Sequence, residues 1–261
     1  IVVCPRPEPA VLAAALEAGV TQLFRIGGAH AIAALAYGTE TVPMVDKIVG
    51  PGSAYVAAAK AQVSSDCAID FYAGPTEIVI IADGGNPEWL AADLVAQAEH
   101  DPDARAILLT PSRRLATRVA RATAGQLPRS GPARLALRRH GAIITTRSVR
   151  EAADLANRIA PEHLLCDQEE VARTVKRAGT IYIGRYAAPA AGDYATGSNH
   201  VLPTNGAARF RGGLSAADFV RVSTVQRLTR GGLTRVASIA IALAGAEGLQ
   251  AHAASIQVRL K

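Results

Sequence analysis

At 261 residues the chain has room for one large domain or two small ones, and 49% hydrophobic with 19% charged residues is globular rather than disordered or fibrous composition. No run approaches the roughly 18 to 20 apolar residues needed to cross a bilayer, and the opening IVVCPRPEP lacks the features of a signal peptide, so a cytoplasmic chain with no membrane partner is expected. The net charge of +6 comes from scattered arginines, and four Phe, six Tyr and one Trp are too few for a base-stacking platform, so no nucleic-acid partner is expected.

Cys4, Cys67 and Cys166 lie far apart with no CxxC pairing, which excludes a disulfide framework and a thiolate zinc site and leaves them as small buried hydrophobes. The single methionine is Met44, so a piece of a longer protein is expected. From the N-terminus, β-branched runs alternate with alanine-rich helical stretches, the pattern of an α/β fold around parallel strands. The spacing predicts strands over 1–4, 22–26, 46–49 and 68–71, and helices over 8–18, 29–37 and 54–63. Gly50-Pro51-Gly52 turns the chain into the third helix, with Ser53 at its N-cap.

After the turn Ala73-Gly74-Pro75 the rhythm restarts, which places a domain boundary near residue 75. Strands over 77–82, 106–110, 142–145 and 180–183 and helices over 87–100, 112–124, 149–159 and 169–177 are predicted, followed by a long loop of turn formers and small residues over 184–213. The tail reads as helical over 216–222 and 235–252, with a possible strand over 256–260. The expected architecture is two Rossmann-like parallel-sheet domains, 1–75 (missing its N-terminal part) and 76–213, plus a mainly helical segment, 214–261.

Six histidines are the natural starting points for chemistry. His140, behind two arginines, reads as a solvated loop residue, and His200 as a turn residue. Gln97 and His100, three apart at the end of a predicted helix, share a face and could begin a metal site, although most such pairs only face solvent. Glu162 and His163, adjacent after Pro161 at a helix-to-loop junction, suit a water-orienting carboxylate beside a general base; a capping Glu beside a half-buried His is the plainer alternative. Asp193 sits beside Gly192, which lets a carboxylate approach a cation but is also a common turn pair. Glu247 and His252, five apart on the last predicted helix, alone read as surface residues. There is no GxGxxG after a strand, no Walker loop and no GxSxG elbow.

Taken together, GGAHAIAALAYGTETVPMVDKIVGPGSAYVAAAK (27–60), AGPTEIVIIAD (73–83), LVAQAEHDPDA (94–104), APEHL (160–164), GDYATGSNHVLPT (192–204) and GLQAHAASI (248–256) closely resemble histidinol dehydrogenase, nearly end to end. The resemblance implies oxidation of L-histidinol to L-histidine through an aldehyde with two NAD+. It implies Zn2+ held by Gln97, His100, Asp193 and His252, His163 as general base, and Glu162 as the group that activates water. Substrate contacts are implied for Thr76, where many relatives have serine, and for Glu247, in addition to the metal ligands and His163. Cofactor contacts fall on His30 and Ser53, where family members usually carry glutamine and asparagine; both replacements retain hydrogen-bonding capacity. The resemblance further implies an intertwined homodimer with shared active sites, in which Glu247 and His252 serve the neighbour, and a chain lacking roughly an N-terminal third and clipped at its C-terminus. Two other readings stay open: a related zinc- and NAD-dependent alcohol dehydrogenase with another polar substrate, and an inactive fragment that only binds metal and dimerises.

Overall fold

The structure is a computed structural model that describes residues 1–72 and 74–261. Chain contacts divide it into two compact units, Ile1–Phe219 and Val220–Lys261. The first begins with β1 (Val2–Val3), α1 (Pro9–Glu17), β2 (Leu23–Phe24), α2 (Gly28–Tyr37), β3 (Lys47–Ile48), α3 (Ala54–Val63) and β4 (Ala68–Ile69). β1 pairs with β2 and β3 with β4, both parallel. These strands are shorter than their apolar runs suggest. Their core is made by the stripe Ile32, Leu35 and Ala36 of α2 with Val42, Ile48, Val63 and Cys67.

The rest of this unit carries β5 (Glu77–Ile81), α4 (Pro87–Ala98), β6 (Arg105–Thr110), α5 (Arg113–Gln126), α6 (Ala133–His140), β7 (Ala142–Thr145), α7 (Val149–Ile159), β8 (His163–Cys166), α8 (Glu169–Ala172), β9 (Thr180–Ile183) and α9 (Pro189–Tyr194). The strands form one all-parallel sheet in the order β7-β6-β5-β8-β9. A parallel sheet covered on both faces needs continuous apolar strands, and central β5 supplies one, with Ile78 to Ile81 all buried. Period-two alternation sends Ile78, Ile80, Leu108 and Leu165 toward α4 and α5, and Val79, Ile81, Leu109 and Leu164 toward α7. Each such side chain contributes about 1.5–3 kcal/mol by leaving water.

Local chemistry sets the helix starts. Asn86 accepts from the Glu88 N–H ahead of α4, with Pro87 at the first helical position. Ser112 caps α5, and Ser148 accepts from Glu151 N–H in a Ser-x-x-Glu capping arrangement that starts α7.

The α/β reading with parallel sheets holds, while several element readings need correction. The Ala73-Gly74-Pro75 turn lies outside the described residues at Ala73. Residues 163–166 form an inner strand, so His163 sits on β8 and not at the helix-to-loop junction its sequence context suggests; three apolar residues after a histidine are too few for their period to declare itself. α4 stops at Ala98, so His100 lies in the turn beyond it. α6 ends in Arg138-Arg139-His140, a polar stretch that reads as loop but sits at the helix end where cations are favoured. The predicted helix over 169–177 is only α8, and the long loop contains α9.

Tail residues 216–219 form a short 3-10 turn rather than a helix to 222. The second unit consists of α10 (Arg230–Ala246) and α11 (Gln250–Gln257), packed on each other. Thr229 caps α10 by accepting from Gly232 N–H, and Arg230 donates to the Leu260 carbonyl. The single helix expected over 235–252 is thus two, and the possible strand over 256–260 falls in α11 and the turn after it.

Candidate active site

The site is assembled at the amino ends of β5 and β8. Ligands of open parallel sheets usually lie off the carboxyl ends; here Thr76 precedes β5, Glu162 precedes β8, and α4, returning antiparallel to its strand, delivers Gln97 and His100 to the same end. The β5–β8 register sets Ile78 opposite His163. Alternation puts the His163 ring on the α4 side, where it stacks on Tyr182 of β9 with ring centres 5.8 Å apart.

A hydrogen-bonded chain ties the cluster together. Gln97 Nε2 donates to Thr76 Oγ1 at 2.5 Å, Thr76 Oγ1 donates to Glu162 Oε2 at 2.5 Å, and the Glu77 N–H donates to the same Glu162 oxygen at 2.9 Å. Because the Gln97 amide donates here, its carbonyl oxygen is the end left to meet a ligand. Glu162 and His163 side chains are only 8% and 4% exposed, with Glu162 Oε2 3.6 Å from His163 Nδ1. On the other side of the imidazole, Asp193 Oδ1 is 3.8 Å from His163 Nε2, and Asp193 Oδ2 is 3.9 Å from His100 Nε2. All three separations exceed hydrogen-bond length. Among the described residues, both His163 ring nitrogens are buried without a partner.

Burial sets the protonation balance. It pushes the Glu162 carboxyl up to about 7, against the Thr76 and Glu77 hydrogen bonds that favour the carboxylate, and nearby Glu77 and Asp193 push the same way as burial. Burial also pulls His163 below its ordinary value, with Asp193 and the backbone of Glu77 opposing and His100 adding to the fall. A neutral imidazole next to a carboxyl that titrates near neutrality is suited to moving protons at physiological pH.

Thr76, Gln97, Glu162, His163 and Asp193 are therefore neighbours, with His100 on the exposed side of Asp193. No group of three His, Cys, Asp or Glu among the described residues stands ready to hold an ion. Gln97 oxygen, His100 nitrogen and Asp193 oxygen nonetheless offer a borderline-hard donor set that fits a divalent cation such as Zn2+. Glu247 caps the end of α10 and His252 lies on α11, both exposed and both in the C-terminal unit. His30 is the third residue of α2 and is exposed. Ser53 stands at the N-cap of α3, and among the described residues its hydroxyl makes no cap bond; neither α2 nor α3 has a side-chain cap, so the chemistry of their first N–H groups suits an anion such as a pyrophosphate.

Two neighbours escaped the sequence reading. Tyr182 could have been found by alternation along 180–183, which puts it on the face of the adjoining strand's Leu165 and His163. Glu77 carries no such signal: its carboxylate is buried 3.5 Å from Arg105, and its role at Glu162 is played by its backbone N–H. His140 lies at a helix end 3.4 Å from Asp103, and His200 is exposed.

A family model described as Histidinol dehydrogenase matches residues 1–260. The chain is 51% identical over 260 residues to the histidinol dehydrogenase of Rhizobium meliloti, covering 97% of this chain and 60% of that protein. It is 49% identical over 271 residues to that of Cereibacter sphaeroides, covering 100% and 62%. The crystal structure of histidinol dehydrogenase from Elizabethkingia anophelis superposes with a TM-score of 0.91 at 39% identity, over 97% of this chain and 60% of that one. The chain thus spans about three fifths of the length of these relatives. With a family match across nearly every residue and the same fold in a solved relative, this chain belongs to the histidinol dehydrogenase family.

Proposed function

We propose that the protein carrying this chain oxidises L-histidinol to L-histidine through the aldehyde, in two steps that each use one NAD+. The observation that carries this reading is His163: a buried imidazole, both nitrogens unpartnered, set between two carboxylates beside a Gln97–Thr76–Glu162 hydrogen-bond chain. That arrangement supports proton removal from an alcohol rather than a structural role, because a structural histidine would have its nitrogens bonded.

Gln97, His100, Asp193 and His252 would hold Zn2+, which supplies Lewis acidity and orients the substrate's imidazole and amine. NAD+ would accept the hydride of each oxidation, with His30 and Ser53 as its contacts. His163 takes the alcohol proton in the first step, and the neighbouring Asp193 stabilises the resulting imidazolium. Glu162 then deprotonates the water that attacks the aldehyde, and His163, having passed its first proton to solvent, takes the proton of the hydrate in the second oxidation. Thr76 aligns Glu162 by its hydrogen bond and lies beside the substrate. Glu247 and His252 complete the site across a homodimer, so that 1–75 serves the cofactor, 76–213 the metal and substrate, and 214–261 the assembly. The expected setting is the cytoplasm.

The test is NADH formation by the full-length, Zn2+-loaded protein with L-histidinol, compared with other amino alcohols. Histidinol-dependent reduction is expected. Equal reduction with unrelated amino alcohols would instead support a dehydrogenase of another polar alcohol, and bound zinc with no reduction would end the enzymatic reading.

A further inference from the structure

The most buried charge pair among the described residues lies outside the cluster described above. Lys60, on α3, and Asp70, just after β4, have side chains 3% and 2% exposed and meet at 2.7 Å. Two buried charges seldom stabilise a fold more than apolar residues of the same volume would. What this pair does that an apolar pair could not is seize both backbone groups of one residue. Gly50 N–H donates to Asp70 Oδ2 at 2.8 Å, and Lys60 Nζ donates to the Gly50 carbonyl at 2.6 Å. Gly50 has φ of 114°, a conformation that side chains disfavour, and it opens the Gly50-Pro51-Gly52 turn that ends at Ser53.

Asp70 is itself fixed from behind. Its Oδ1 also accepts from the Phe71 N–H, and its carbonyl accepts from Arg211, whose guanidinium lies 4.9 Å over the Phe71 ring and pairs with Asp218 at 3.1 Å. The turn is therefore held at its first residue by buried charges, while its last, Ser53, is exposed with its hydroxyl unbonded.

We propose that Lys60 and Asp70 are positioning residues for the cofactor: the pair fixes the Gly50 peptide and so presents Ser53 and the start of α3 to the dinucleotide. The inference rests on the reading of Ser53 as a cofactor contact. It is tested in the full-length protein with Lys60→Met and with Lys60→Met/Asp70→Leu, the latter leaving no lone buried charge to unfold the chain. NAD+ affinity is measured by titration calorimetry, beside kcat, the KM for L-histidinol and the urea unfolding midpoint. NAD+ binding is expected to weaken about tenfold or more in the double variant, with kcat at saturating NAD+ and the KM for L-histidinol within about twofold of the parent. Lys60→Met/Asp70→Asn, which keeps an acceptor for the Gly50 N–H and leaves no lone buried charge, should recover part of the loss.

Unchanged NAD+ affinity in the folded double variant overturns the proposal. So does an equal loss in kcat, both substrates and unfolding midpoint, which marks a purely structural pair. Ser53→Ala separates the two layers: if it leaves NAD+ affinity intact, the cofactor reading of the turn fails and the proposal with it. If it weakens NAD+ while the double variant does not, only the positioning role is lost.

Discussion

Burying an imidazole with neither nitrogen bonded costs about 1–3 kcal/mol for each unmet polar group, and His163 stands in that condition between Glu162 and Asp193. The surrounding sheet holds it there: Leu164 and Leu165 on the same strand are buried, and Tyr182 covers one face of the ring. In the proposed reaction the substrate's proton meets that unpaired imidazole. His163→Ala is therefore expected to lower turnover of L-histidinol by about a hundredfold or more. Zinc content, measured by atomic absorption, should stay at the parent level, since the expected ligands are Gln97, His100, Asp193 and His252. Retained turnover would remove His163 from the chemistry; lost zinc would move it into the ligand set.

At the scale of elements, the sequence was informative where local signals agree and misleading where tertiary pairing decides. The helix over 149–159 and the strand over 142–145 coincide with their readings because a capped amphipathic run and a β-branched run each declare their own period. The strand that carries His163 does not, because HLLC is defined by pairing with β5 and β9 rather than by any pattern within it. Gln97 and His100 read as a shared helical face, but α4 stops at Ala98 short of His100, and the Gln97–Thr76–Glu162 chain joins residues up to 86 positions apart and leaves no local trace. Asp193 shows the same division: its Gly-Asp context was readable, its short helix and its place beside Tyr182 were not.

A Cβ on Gly192 would run into the Tyr182 hydroxyl and ring. Gly192→Ala should accordingly destabilise the protein by about 1–3 kcal/mol, the usual cost of overpacking, and displace Asp193 with it. Chemical denaturation and kcat together would read this. Tyr182→Phe in the same background should recover part of both, and a Gly192→Ala protein with unaltered stability would mean that α9 does not pack as tightly as the contact implies.

For the molecule as a whole, Glu162 at the amino end of β8 sets an ionisable carboxyl against the same core that stabilises the sheet, so folding and protonation are linked. Glu162 is held at about 7 by burial, above its ordinary 4.5. A carboxyl raised in this way binds its proton more tightly folded than unfolded, so its contribution is fully present below about 4.5 and is lost as pH rises through about 7. The gap corresponds to on the order of 3 kcal/mol. His163, lowered by burial, works in the opposite sense: its contribution is present above its ordinary 6.5 and lost as pH falls. Comparing the parent with Glu162→Gln, both stripped of divalent metal, removes the carboxyl's titration while keeping His163 in both proteins. The chain's single tryptophan, Trp89 on α4, reports unfolding of the unit that contains the site. Urea denaturation followed by its fluorescence should show the parent losing stability relative to the variant between pH 4.5 and 7.5, by on the order of 3 kcal/mol. A difference that stays flat across that range would mean that Glu162 titrates as an ordinary surface carboxylate despite its burial.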